Sequence, residues 1–279
     1  MTICAYCGLD KPTTREHLMP AFLYQYIDRD AVGDIAEWNE VTKTRLSIEH
    51  KVKDVCAKCN NVNLSNLDAY GQSFLESNEA TRPIYASRFK IRFDYHRLQR
   101  WILKIHFNAS RASPDPLRLD RSLLDYILHG APKPDDRYVF LATELLRPHR
   151  VQSPDSPHFA SANADGLSNP FLVRITKSLF TRRVSERLQV DSVAFGGLVI
   201  HSIKLATSLT PSQARKLKQT VLRENQSCMK IMDPSRSEII LQQSDRDHVD
   251  FRRPQTEREL SIMQTGVDPH GRGRVRDEG

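Results

Sequence analysis

Two C-x-x-C pairs constrain this chain more than any other feature. Cys4 and Cys7 lie in "CAYCG", and Cys56 and Cys59 lie in "CAKCN". Thiolates bind zinc tetrahedrally, and each C-x-x-C turn can present two sulfurs to one ion. The spacing predicts a structural zinc that joins the start of the chain to a segment 48 residues further on. Four thiolates leave no open position for chemistry, so such a zinc would fix the geometry of something else.

The alternative is one redox dithiol and one unrelated pair of thiols. The fifth cysteine, Cys228, stands alone, and an odd count argues against a disulfide framework. The first residues, "MTICAYCGLD", have neither the charged nor the apolar region of a signal peptide. No apolar run approaches the roughly 18 residues of a membrane span. We therefore expect a cytoplasmic protein with no membrane partner.

Hydrophobic periodicity predicts an α+β fold. From Asn60 to Glu79 an apolar stripe indicates a helix, and residues 93–111 form the clearest helical pattern in the chain. Later segments alternate between strand and helix patterns, among them "VAFGGLVIHSIKL" as a strand and "TPSQARKLKQTVLREN" as a helix capped by Thr210. The predicted parts are residues 1–80 with the cysteines, 81–115 as a basic helical connector, 116–250 as an α+β domain, and 251–279 as a weakly ordered tail.

Charge is unevenly distributed between the first two of these parts. The chain has a net charge of +7, yet residues 1–80 hold 8 Lys and Arg against 12 Asp and Glu. Residues 82–111 carry eight basic side chains and one acidic one. Four of the basic residues share one helix stripe, namely Arg97, Arg100, Lys104 and Arg111. The stripe is either a solvated face or a surface that follows nucleic-acid phosphates.

The residues between and after the cysteine pairs suggest chemistry. "TTREHLMP" places Glu16 beside His17, and histidine can act as a general base near neutral pH. Asn60 follows Cys59 directly, and Asn63 lies three residues after Asn60, so the two are neighbours on a helix surface. Carboxylate and amide oxygens suit a hard cation such as Mg²⁺. Helix capping by Asn60 is the simpler alternative, since asparagine fills that position well.

The ordered set C-x-x-C, E-H-x-x-P and C-x-x-C-N resembles the HNH endonuclease family, in its subgroup with four zinc-binding cysteines. The resemblance covers residues 1–75 and implies a ββα-metal finger. It assigns His17 as the general base, Glu16 as the first ligand of a catalytic ion and Asn60 as the ligand after the last cysteine. Leu64 stands where some members have a second helix ligand, and Asn63 is the nearest substitute. His50 is the nearest match to the residue that steadies the base.

The resemblance implies a metal-dependent endonuclease that hydrolyses phosphodiester bonds, with DNA as the expected target and Mg²⁺ or Mn²⁺ as the catalytic ion. Such a protein could be the effector of a defence system, with a protein partner bound through residues 116–250. The alternative is a zinc-stapled module that binds nucleic acid without cutting it.

Overall fold

The structure is a computed structural model that describes most of the chain. The described residues are 2–30, 37–39, 44–46, 50–111, 119–152, 164–168, 173–177, 188–224 and 229–247. Cys228 and the predicted tail at 251–279 lie outside them. The architecture is mixed α and β, as the periodicity predicts.

The first half of the described chain contains seven strands and three helices. The strands are β1 Thr2–Ile3, β2 Asp10–Lys11, β3 Thr13–His17, β4 Glu37–Asn39, β5 Thr44–Leu46, β6 Lys51–Cys56 and β7 Arg88–Arg92. The helices are α1 Ala21–Asp30, α2 Ser65–Ser77 and α3 Tyr95–Ser110, and a π-helical turn, Cys59–Leu64, leads into α2.

The second half contains eight strands and two helices within the described residues. The strands are β8 Val139–Arg147, β9 His149–Arg150, β10 Leu167–Ser168, β11 Val173–Lys177, β12 Leu188–Phe195, β13 Leu198–Leu205, β14 Lys230–Ile231 and β15 Glu238–Asp247. The helices are α4 Arg121–His129 and α5 Pro211–Glu224.

The N-terminal unit is a β-ribbon followed by a helix. Strands β3 and β6 pair antiparallel, with Thr13 opposite Cys56 and His17 opposite Lys51. The chain leaves β6 at Cys56 and enters the π-helical turn at Cys59, so the second cysteine pair connects the ribbon to the helix. The predicted apolar stripe is confirmed, because Leu64, Leu67, Phe74 and Leu75 are all buried.

Helix α3 is the central element, and every residue from Trp101 to Asn108 is buried. It packs against α2, α4, β12 and β13, so it is surrounded rather than half-solvated. The indole of Trp101 stacks on Phe195 with ring centroids 5.4 Å apart, and it also lies near Phe74 of α2. A Cβ on Gly71 would lie 2.1 Å from this indole. Gly71 weakens α2 locally but permits this close packing.

The main sheet runs in the order β11-β12-β13-β8-β15-β7, and β14 also pairs with β8. The prediction of one strand over "VAFGGLVIHSIKL" is wrong, because the sequence is the end of β12, a turn and β13. Gly196 has a φ of 59° at this turn, a conformation that glycine adopts without strain. Helix α5 begins as predicted, with Thr210 Oγ1 accepting from the N–H of Gln213 at 3.3 Å.

One hydrophobic core joins the N-terminal unit, α3, α4 and one face of the sheet. It includes Tyr6, Leu64, Trp101, Tyr126 and Phe195. Among the described residues, no helix is both long and apolar enough to cross a lipid bilayer.

Candidate metal centre and active site

The four cysteines of the two pairs converge on one point. Their sulfurs lie within 4.8 Å of one another, and Sγ of Cys7 is 3.8 Å from Sγ of Cys56. A disulfide would need a separation of about 2 Å. Four sulfurs at the corners of a tetrahedron around zinc, each about 2.3 Å from the ion, are roughly 3.8 Å apart. The thiols are therefore close enough to bind a single metal ion.

The surroundings of Cys4 favour a thiolate. The main-chain N–H of Cys56 donates to Sγ of Cys4 at 3.3 Å. Burial acts to raise the pKa of Cys4, but N–H groups of Cys56, Cys7 and Tyr6 outweigh it and lower the pKa to about 7. Bonds of this kind also orient a ligand for its metal.

The ribbon places His17 at its far end, away from the cysteines. His17 is half-buried, and it lies opposite Lys51 at the end of β3. The main-chain N–H of Leu18 donates to the carbonyl oxygen of His50 at 3.0 Å, so His50 lies beside the same end of the ribbon. The role of His50 in steadying the base stays a prediction.

The carboxylate of Glu16 points into the protein, on the opposite side of β3 from His17. Glu16 is 5% exposed, and its Oε1 is 3.0 Å from Nζ of the fully buried Lys104. The Lys104 ammonium also lies 2.6 Å from Oδ2 of Asp68. Burial acts to lower the pKa of Lys104, but Asp68 and Glu16 outweigh it and raise the pKa. An ammonium thus holds the carboxylate of Glu16, and the role of Glu16 as a ligand of a divalent ion stays a prediction.

Asn60 ties the start of the helical segment to the ribbon. Its Nδ2 donates to Oγ1 of Thr14 at 2.8 Å and to the carbonyl oxygen of Arg15 at 3.0 Å. Asn60 therefore does not act as a helix cap; Lys58 holds the cap position and makes no side-chain cap bond. Asn63 is half-exposed in the same π-helical turn, and its role as a ligand stays a prediction.

Asn108 is a site residue that sequence reasoning missed. It is fully buried in α3, and its Nδ2 donates to the carbonyl oxygen of His17 and to Oε1 of Glu16, both at 3.0 Å. Its Oδ1 accepts from the hydroxyl of Tyr6 and from Nη2 of Arg111. One amide thus joins the end of β3 to the first cysteine turn. No local sequence signal marks this residue, because its partners in the ribbon and the first cysteine turn are about 90 to 100 positions away.

The predicted phosphate-binding stripe on α3 turns mostly inward. Lys104 is fully buried, and Arg111 pairs with Asp54. Arg100 donates to the carbonyl oxygens of Ile127 and Leu128 at the end of α4. The full burial of Lys104 contradicts its predicted contact with nucleic acid. Arg100 and Arg111 are half-buried, and their contacts with nucleic acid stay predictions.

Arg97 is the exposed member of the stripe. Its guanidinium lies 4.7 Å from the ring centroid of Tyr70, in a cation–π contact.

A second polar network lies within the main sheet. Oγ of Ser192 is 2.8 Å from Nδ1 of His201, and Nε2 of His201 is 3.2 Å from Oε1 of Glu144. Nη2 of Arg246 donates to both oxygens of Glu144 at 2.7 Å. The residues resemble a nucleophile, a base and an acid, but Ser192 is 1% exposed and Arg246 neutralises Glu144. The arrangement therefore links strands β12, β13, β8 and β15 and offers no surface for a substrate.

Comparisons with protein families, with curated proteins and with solved structures find no match to this chain.

Proposed function

We propose that residues 2–77 form a zinc-stapled nuclease unit that cleaves phosphodiester bonds of nucleic acid, with His17 as the general base. The single observation that carries the proposal is the order of the parts: a cysteine turn, a ribbon ending in His17, a second cysteine turn and a helix. Zinc is the metal we propose for the four thiols, since tetrahedral sulfur sites suit it.

His17 would accept the proton of the attacking water. The half-buried position at the end of a strand keeps its ring close to the surface, where a phosphate could approach. Asn108 holds the carbonyl oxygen of His17, and the zinc-bound cysteines hold the other end of the ribbon. The backbone that carries the base is thus fixed at both ends, as proton transfer at a defined atom requires.

A divalent ion would neutralise the negative charge that develops on the phosphate. A site for it at Glu16 and Asn60 is opposed by the Lys104 ammonium beside Glu16. The experiment therefore tests nicking with and without Mg²⁺ or Mn²⁺, and the proposed proton transfer to His17 does not depend on either ion.

The test is nicking of supercoiled plasmid by the zinc-loaded chain, with and without added Mg²⁺ or Mn²⁺. We expect nicking by the wild type and a loss of about 100-fold or more in His17→Ala, since general-base catalysis typically contributes 10²–10⁴-fold. His129→Ala is the matched control, because His129 is exposed on α4. Equal nicking by the wild type and His17→Ala would refute the role of His17.

A second candidate function is a nucleic-acid-binding module that does not cut. The observation in its favour is the buried Lys104–Glu16 ion pair, which places a fixed cation beside the carboxylate that the resemblance assigns to a metal. Plasmid binding without nicking under every metal condition would support this function over the first.

A further inference from the structure

The outer face of the ribbon carries basic residues in cross-strand pairs. The register places Arg15 of β3 opposite Lys53 of β6, and His17 opposite Lys51. Residues two apart on a strand share a face, so these four side chains lie on one side of the ribbon. Arg15, Lys51 and Lys53 are exposed and His17 is half-buried, whereas Glu16 on the opposite side is buried. We call these four residues the basic face.

Such a face costs folding free energy. Like charges directly opposite each other destabilise an antiparallel pair. Within the part of the chain that the structure describes, Arg15 and Lys53 form no ion pair that would offset their repulsion. An anionic ligand bound across both strands would supply that compensation.

Three carboxylates of the same unit are held by basic groups at α3 and not by the ribbon. Asp54 is held by Arg111, and Glu16 and Asp68 are held by Lys104. Residues 1–80 are net acidic by count, but these three carboxylates face basic groups from α3. These three carboxylates therefore do not compensate the charges of Arg15 and Lys53.

The geometry points to a polyanion bound along the strands: we propose that the basic face binds backbone phosphates of nucleic acid. Successive pairs on the face are about 7 Å apart along the ribbon, from a rise of about 3.4 Å per residue. This is close to the distance between successive phosphates of a nucleic-acid strand. The pair Arg15–Lys53 would hold one phosphate, and Lys51 the next, beside His17.

This inference rests on the proposed function for its choice of ligand, but it can be tested without cleavage. The experiment measures binding of a fluorescent DNA duplex by anisotropy, with zinc-loaded full-length His17→Ala protein and no added Mg²⁺ or Mn²⁺. Dissociation constants are taken over a range of NaCl concentrations for this parent, for Arg15→Gln/Lys53→Gln, and for Arg215→Gln/Lys216→Gln. Arg215 and Lys216 are exposed on α5, so the control pair removes the same charge elsewhere.

We expect Arg15→Gln/Lys53→Gln to lower the affinity about tenfold and to reduce the slope of log K against log salt by about 1, since the one phosphate contact that is lost contributes roughly 0.9. The control pair should leave both quantities close to the parent. Equal losses in the two double variants, an unchanged slope, or no DNA binding by the parent would overturn the proposal. Binding through the ribbon without plasmid nicking by the wild type would refute the catalytic proposal alone.

Discussion

The two sides of α3 are held by different forces. Towards the N-terminal unit, α3 presents Lys104, Asn108 and Arg111, and each meets a polar partner in or near the ribbon. Towards the sheet, Trp101 stacks on Phe195, and His106 is buried with no hydrogen-bond partner for Nε2 among the described residues. The contact with the N-terminal unit depends on ion pairs and on hydrogen bonds of the Asn108 amide. The contact with the sheet depends on apolar packing.

The difference shows how specificity and stability are divided in this fold. Apolar packing stabilises roughly in proportion to the buried area and tolerates small shifts. A buried ammonium between two carboxylates does not tolerate such shifts, because any displacement leaves a charge without compensation. The polar side therefore fixes where the ribbon lies against α3, and with it the position of His17.

The largest expected effect comes from removing the charge at the centre of the polar side. Lys104→Met leaves Glu16 and Asp68 without their cation, and we expect unfolding free energy to fall by about 3–5 kcal/mol, as for other broken buried pairs. Urea unfolding measures this change. The matched control is Lys90→Met, because Lys90 pairs with Glu238 in an exposed position and should matter little.

Adding Glu16→Gln and Asp68→Asn to Lys104→Met removes all three buried charges. If charge compensation is the cause, the triple variant recovers part of the lost stability, since no buried charge is left unpaired. A Lys104→Met protein as stable as Lys90→Met would contradict the account of the polar side.

The apolar side should respond to acid. Burial lowers the pKa of His106 to about 4, with Lys204 and His201 acting in the same direction and Asp191 opposing them. Between the unfolded value of 6.5 and about 4, only the unfolded chain binds this proton. Stability is therefore lost as pH falls through this window, by about 3 kcal/mol in all, at roughly 1.36 kcal/mol per pKa unit.

His106→Leu should remove most of this acid sensitivity while leaving stability at pH 7 near that of the wild type, since the replaced Nε2 lacks a partner among the described residues. Urea unfolding at pH 7, 5.5 and 4 measures the effect, with His129→Leu as the exposed control. An unchanged pH profile in His106→Leu would assign the acid response to other groups.

Local features of the fold could be predicted from the sequence. The cysteine cluster was predictable because each C-x-x-C turn is local, and because two such pairs in one chain have few functions other than binding a metal. The stripe of α2 was predictable from its period, and the turn at Gly196–Gly197 carried a hairpin signal that the strand prediction overlooked.

The polar partners of α3 were not predictable from local pattern. Lys104 is 36 residues from Asp68 along the chain, and a basic stripe looks solvated until the elements around it are known. The opposite charges of residues 1–80 and 82–111 were the usable signal. The sequence alone leaves the basic stripe as a solvated face or a phosphate-binding surface, whereas several of these charges pair with each other. This pairing buries Lys104 beside Glu16, whose role as a metal ligand stays a prediction.

The smallest expected change in stability tests whether the polar side positions His17. Asn108→Ala removes the bond to the carbonyl oxygen of His17 and leaves the buried hydroxyl of Tyr6 without its acceptor, at a cost of about 1–3 kcal/mol. Asn78 is the matched control. It is a buried asparagine whose Nδ2 donates to the carbonyl oxygens of Phe74 and Arg92, and Asn78→Ala should cost a similar amount.

The two variants separate when His17 itself is observed. The ring resonances of His17, followed by NMR from pH 5 to 8, should shift in Asn108→Ala and stay unchanged in Asn78→Ala. If nicking is detected, only Asn108→Ala should lower its rate beyond what the loss of stability explains. Identical His17 spectra in both variants would mean that Asn108 contributes packing alone, and that the ribbon and its cysteine turns hold His17 without help from α3.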